Sequence, residues 1–193
     1  MGGDVAMGRR IRAMLWLTLG AALAGSIPYA AGQETGFALH SSAFPPGGSI
    51  PSRYTCEGLE LSPPLAWTEP PPGTRSFALV LDDPDAPDPQ APQRTWVHWV
   101  VVGIPSQARG LPDGAAGGRL PTGARQGLND WKRADYGGPC PPIGRHRYVH
   151  KLYALDTPLS ELSSPTKDEL EHAMQGHILA QAELIGTYQK KQP

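Results

Sequence analysis

The chain is short of what several common protein classes need. Positive charge is not in excess: 17 Lys and Arg stand against 18 Asp and Glu, a net charge of −1 with His neutral, so nothing points to a nucleic-acid partner. No internal repeat is visible and no linker is long enough to divide the chain, whose 193 residues suit one domain with a sizeable core. No Gly-x-Ser-x-Gly nucleophile elbow is present, and the His and Cys residues follow no compact metal-binding spacing. The apolar run at residues 13–25 is too short for a comfortable membrane span. There are only two cysteines, Cys56 and Cys140, neither near the N-terminal segment, so a lipid-anchored cysteine is not expected.

What the chain does have is 23 Gly and 22 Pro. They sit between clear apolar runs, so they read as turns joining short strands, which predicts a mainly β fold. The N-terminus reads differently. Arg9, Arg10 and Arg12 precede the apolar run, and Ala30, Ala31 and Gly32 follow it, the three-part layout of a secretory signal peptide. Residues 1–32 are therefore expected to be a signal peptide cleaved near Gly32, and residues 33–193 the domain, in the periplasm or secreted. An uncleaved anchor and a twin-arginine signal at Arg9-Arg10 are the alternatives. Removing three Arg and one Asp leaves 14 basic and 17 acidic residues, a charge of −3. An even cysteine pair in an exported protein suggests a Cys56–Cys140 disulfide; two free buried thiols are the other reading.

Short extended pieces are expected at residues 36–43 and 50–56, and an edge strand at 61–67, where Pro63 and Pro64 cannot donate to a ladder. Residues 76–81 are apolar on both faces and form a core strand. It runs into Asp82 and Asp83, with Asp83 on the face of Phe77, Leu79 and Leu81, and Asp82 on the face of Ala78 and Val80. Residues 95–104 are the most hydrophobic strand of the domain; simple alternation puts His98 with Trp96, Val100 and Val102. Residues 105–125 are Gly/Ala-rich and loop-like. A capping box at Thr166 to Glu169 starts a helix over 167–176, and residues 178–188 read as a last strand, a continued helix being the alternative.

The stretch from Gly137 to Tyr148 is a stiff Gly/Pro loop running into a strand at 146–155. Alternation places His146, Tyr148 and His150 on one face, the first two about 7 Å apart. Three strand ends thus carry polar groups inside apolar runs: Asp83 with Asp85, His98, and His146 with Tyr148. Unpaired, such groups are costly to bury, and meeting in one pocket accounts for them economically.

Asp83-Pro84-Asp85-Ala86-Pro87, Trp96-Val97-His98-Trp99 and Gly138-Pro139-Cys140-Pro141-Pro142 through His146-Arg147-Tyr148 occur in the order and spacing of the phosphatidylethanolamine-binding protein family, also called the Raf kinase inhibitor protein family. The chain resembles that family from Phe37 to Tyr188. Tyr54-Thr55-Cys56-Glu57-Gly58, Ser62-Pro63-Pro64 and Asn129-Asp130 fit its bacterial branch. The resemblance implies a sandwich of a large and a small antiparallel sheet with a few short helices. It implies a pocket at one end for phosphate, phosphoethanolamine or similar small anions, and no cofactor. Carried over by motif, that ligand site takes Asp83, Asp85, His98, His146 and Tyr148, with the loop residues Gly138, Pro139, Cys140 and Pro141. In it, His98 and His146 bind anion oxygens, Asp83 holds a His tautomer or an ammonium, and Tyr148 offers a phenolic donor. Two departures from animal members stand out: Cys140 replaces a Gly, and no C-terminal helix follows Tyr188, which leaves the pocket more open. Members are also described as inhibitors of proteases or kinases, so a protein target is a second implied partner, although the kinase role does not transfer to an exported protein. His150 is expected to be structural, His40, His172 and His177 surface or structural, and Trp96 and Trp99 core. The rivals are an exported hydrolase with Cys140 near His146 as nucleophile, and a metal-dependent enzyme with zinc on Asp83, His98 and His146.

Overall fold

A computed structural model describes residues 1–2 and 36–191. The chain divides into two units, Met1–Gln33 and Glu34–Pro193. The expected signal peptide falls, beyond its first two residues, outside the described residues.

The second unit is built on two antiparallel sheets. Strands β1 (Leu39–His40), β2 (Leu65–Trp67) and β5 (Gly110–Leu111) form the smaller one, in the order β1-β2-β5. The larger one has the order β6-β4-β3-β7-β8, with β3 at Ser76–Asp83, β4 at Trp96–Pro105, β6 at Arg125–Gln126, β7 at His146–Leu155 and β8 at Ile178–Tyr188. A single helix, α1 (Lys167–Met174), and 3-10 turns at Ser52–Tyr54 and Ala115–Gly117 complete the described elements.

The sequence of β3 explains the arrangement. All eight residues are buried, so the strand needs cover on both faces. Phe77, Leu79 and Leu81 belong to the cluster facing the small sheet, with Leu39, Leu65 and Trp67. The Phe77 ring lies 5.3 Å from Trp67 and 6.0 Å from Phe37. Ala78 and Val80 face the other way, onto Val100, Val102 and the α1 residues Leu170 and Met174. Each fully buried large apolar side chain contributes about 1.5–3 kcal/mol relative to exposure, which is why the strand that buries both faces sits in the middle of the sheet. The helix begins where its capping box predicts: Thr166 Oγ1 accepts from the Glu169 amide at 3.3 Å, and Glu169 accepts from the Thr166 amide at 2.8 Å.

Several expectations need correction. The piece at 36–43 pairs only through Leu39 and His40. The piece at 50–56 is not extended throughout. Pro51, fixed at φ −60, offers its carbonyl to Tyr54, and Ser52 offers its own to Thr55, which closes a 3-10 turn. β2 is the centre of the small sheet rather than an edge, because Pro63 and Pro64 precede the paired residues. The loop 105–125 contributes β5 and a 3-10 turn. The face assigned to His98 is also wrong in part. Leu81 pairs with Trp99 and Asp82 with Val97, so His98 is an extra residue bulged out of β4. Val100 and Val102 therefore lie on the helix side while His98 lies on the other.

Candidate functional site

The β4-β3-β7 order brings the C-terminal end of β3 between the N-terminal ends of β4 and β7, since Asp83 pairs with Trp96 and Asp82 with Val149. A cavity of about 520 Å³ opens there. Asp83, His98, His146 and Tyr148, predicted to meet, all line it, with Cys140 and Pro141 of the loop.

Their bonding is specific. His146 is fully buried. Its Nδ1 is 2.7 Å from Asp83 Oδ2 and its Nε2 is 2.9 Å from the Ile143 carbonyl. Both ring nitrogens are thus engaged by protein oxygens, and neither is left over for a ligand. The other Asp83 oxygen accepts from the Asp85 amide at 2.9 Å. His98 donates from Nδ1 to the Gly137 carbonyl at 2.7 Å, which leaves Nε2 for the cavity. Burial holds its pKa below the ordinary histidine value, against the opposing pull of the Gly137 carbonyl and of Asp83, Asp82 and Asp130. His98 is thus a neutral imidazole presenting a lone pair. The Tyr148 ring meets His98 edge-on at 5.2 Å and stacks 6.5 Å from His146. Burial, and secondarily the Asp83 charge, push the Tyr148 phenol well above its usual range, and its hydroxyl has no hydrogen-bond partner, like Trp96 Nε1.

Three predicted residues are placed elsewhere. Asp85 does not line the cavity; it grips Arg147, accepting from Nη2 at 2.6 Å, Nε at 3.0 Å and the backbone amide at 2.8 Å. The Arg147 guanidinium accordingly holds the Asp85 carboxyl below its usual pKa. Gly138 and Pro139 lie beneath the wall: the Gly138 amide donates to Glu60 at 3.1 Å, and the Pro139 carbonyl accepts from the Cys56 amide at 3.2 Å. A Cβ on Gly138 would sit 3.0 Å from Thr55 Cα and from the Tyr54 carbonyl, so only glycine fits without displacement. The sulfur atoms of Cys56 and Cys140 lie at bonding distance, with Cα atoms 5.5 Å apart. Among the described residues, no group of three or more His, Cys, Asp or Glu is arranged to hold a metal ion.

Wall residues that sequence reasoning missed come mainly from loops. Asp130 clamps the start of β4, accepting from the Val97 amide at 2.8 Å and donating its own amide to the Val97 carbonyl at 3.0 Å. That clamp seats Trp131 beside His98, ring centroids 5.0 Å apart, and 5.2 Å from Trp96. Gly137 leaves room for it: a Cβ there would come within 2.3 Å of the Trp131 ring. Ala86, Pro87, Gln93 and Arg94 complete one side. Of the two tryptophans expected in the core, Trp99 is there, while Trp96 is half-buried on the cavity wall. His150 is buried, and His40, His172 and His177 are exposed.

A two-sheet antiparallel sandwich with a histidine-, aspartate- and tyrosine-lined cavity at the strand ends defines the class. Residues 40–189 match the family model described as phosphatidylethanolamine-binding protein, and the chain belongs to that family. It is 47% identical over 153 residues to a UPF0098 protein of Methanothermobacter thermautotrophicus, covering 79% of this chain and 98% of the relative. Among solved structures it is similar to a phosphatidylethanolamine-binding protein homolog, CT736, from Chlamydia trachomatis (39% identity, TM-score 0.74, 81% of this chain and 99% of that one). It is likewise similar to E. coli YbcL, described as a member of the mammalian family (36% identity, TM-score 0.73, 81% and 99%).

Proposed function

We propose that the protein is an exported, non-enzymatic binding protein for a small anionic ligand of the phosphate or phosphoethanolamine type, able to regulate a protein target through the surface around the cavity. The observation that carries this is the wall chemistry. His98 turns one open ring nitrogen to the cavity, and the Tyr148 and Trp96 donors beside it have no protein partner. Unsatisfied buried donors cost about 1–3 kcal/mol each, so a ligand rich in acceptor oxygens is the occupant that would relieve them as the wall adjusts. The lone pair on His98 suits the P–OH of a monohydrogen phosphate or an ammonium N–H, and on taking up a proton His98 would donate to an anion oxygen. Export is supported by the N-terminal charge and hydropathy pattern, and it would let Cys56 and Cys140 oxidise. A disulfide there would remove the one thiol near His146 that a hydrolase could use.

Titration calorimetry of the purified protein with inorganic phosphate and with phosphoethanolamine tests the reading. Micromolar-to-millimolar binding is expected with one of them, lost in His98→Ala, and weakening as pH rises, because proton uptake by His98, whose pKa burial already lowers, becomes harder. No heat with either anion, in a folded protein whose His98→Ala variant is equally silent, would overturn it.

A further inference from the structure

We propose that Arg94, rather than His146, anchors the charge of the anion. This rests on the anion-binding reading and names the residue that sets its charge specificity. His146 has no donor to spare, because both its ring nitrogens are engaged, one by Asp83 and one by the Ile143 carbonyl. Whatever positive charge it carries is opposed by the carboxylate it touches. His98 is neutral and offers a lone pair. Tyr148 and Trp96 offer dipoles but no charge. Among the described residues, Arg94 is the only Lys or Arg on the cavity wall.

Its setting is that of an open anion receptor. The guanidinium carbon lies 4.0 Å above the Trp96 ring, a cation–π stack that fixes the plane of the group and leaves its N–H edge free. Among the described residues its side chain makes no ion pair and no hydrogen bond, whereas Arg53, Arg109 and Arg147 are each paired with a carboxylate. The backbone carries it to this place: Gln93 and Arg94 amides both return to the Ala86 carbonyl, at 2.9 and 3.3 Å, folding the loop after β3 back over the cavity. A planar fork with a free edge matches two oxygens of one phosphate or carboxylate. The occupant therefore turns its anionic oxygens to Arg94 and a P–OH or other polar hydrogen toward His98.

The test is calorimetry with inorganic phosphate, phosphoethanolamine and uncharged glycerol on wild type, Arg94→Gln, Arg94→Lys and His98→Ala. Arg94 is exposed, so its variants should fold, which circular dichroism checks. Loss of a charge-assisted contact predicts at least about a tenfold weaker phosphate affinity in Arg94→Gln, a smaller loss in Arg94→Lys, and a flatter dependence on salt in Arg94→Gln than in wild type. Phosphate affinity unchanged in Arg94→Gln, while His98→Ala abolishes binding, would overturn the assignment and leave the binding function intact. Glycerol bound as tightly as phosphate would also overturn it. No phosphate or phosphoethanolamine binding by wild type would overturn both.

Discussion

His150 shares its strand face with His146 and Tyr148 but not their chemistry. It is completely buried, 5.8 Å from the Phe44 ring, opposite Leu81 and Leu184 in the sheet, and neither ring nitrogen has a partner. Burial, helped by nearby His98, lowers its pKa to about 4. Above its unfolded pKa, about 6.5, the ring is neutral in both states and contributes nothing to pH dependence. Between there and 4 the unfolded chain takes up a proton that the folded one refuses, so stability falls as pH falls, by about 3 kcal/mol once the window is crossed. His98 adds a loss of the same sign, since its pKa is also lowered. His150→Leu fills a similar volume without orphaned polar atoms, so it should hold or raise stability at neutral pH and shrink the acid loss by about 3 kcal/mol. Denaturant titrations across that range measure this; parallel pH profiles for the two proteins would contradict it.

Single elements show how far the sequence could be read. Alternation alone placed Asp83, His146 and Tyr148 on the correct faces, because β3 and β7 pair with each other without a bulge. It failed for His98, because a bulge is set by the partner strand and leaves no trace in one strand's own pattern. Asp85 looked like Asp83 in the motif, yet its direction was decided by Arg147, 62 positions away. Arg94 and Trp131 were illegible for the same reason: loop backbone carries them to the wall. The Gly/Pro loop was legible as stiff, but not the reason it holds its shape. Gly137 exchanges two bonds with His98, its amide to the His98 carbonyl at 2.9 Å and its carbonyl to Nδ1 at 2.7 Å. Cys140 is then held against Cys56, 84 positions earlier. If that pair is oxidised, it restricts a long loop of the unfolded chain, and Cys56→Ser with Cys140→Ser should lower stability by about 2–4 kcal/mol. Reductant should do the same to wild type and nothing to the double variant. Equal unfolding midpoints for all of these would mean that the thiols are not joined.

For the whole molecule, the cavity opens at one end of the sheet face that also carries the larger core, while the helix and the smaller core cover the other face. Adjacent carboxylates at the end of β3 take opposite sides. Asp83 turns to the cavity and His146, while Asp82, 1% exposed, turns to the helix side. There its Oδ2 receives Lys151 of β7 at 2.9 Å and Lys167 of α1 at 2.8 Å. Behind it Leu170 and Met174 close a cluster with Ala78, Val80, Val100 and Val102, none of which lines the cavity. Cavity and helix thus share strands but no side chains, and a defect on the helix side reaches the cavity only through backbone displacement, which hydrogen-bonded central strands resist. Leu170 is fully buried, so Leu170→Ala should cost about 2–5 kcal/mol of stability. Phosphate affinity should stay within about twofold of wild type at a temperature where the variant is folded. His98→Ala should show the converse, binding lost with a smaller change in stability. Denaturant unfolding and phosphate calorimetry on the same two variants separate the cases. A Leu170→Ala protein that is folded yet binds phosphate tenfold more weakly would mean that the helix side sets the geometry of the cavity, and that the two faces act as one.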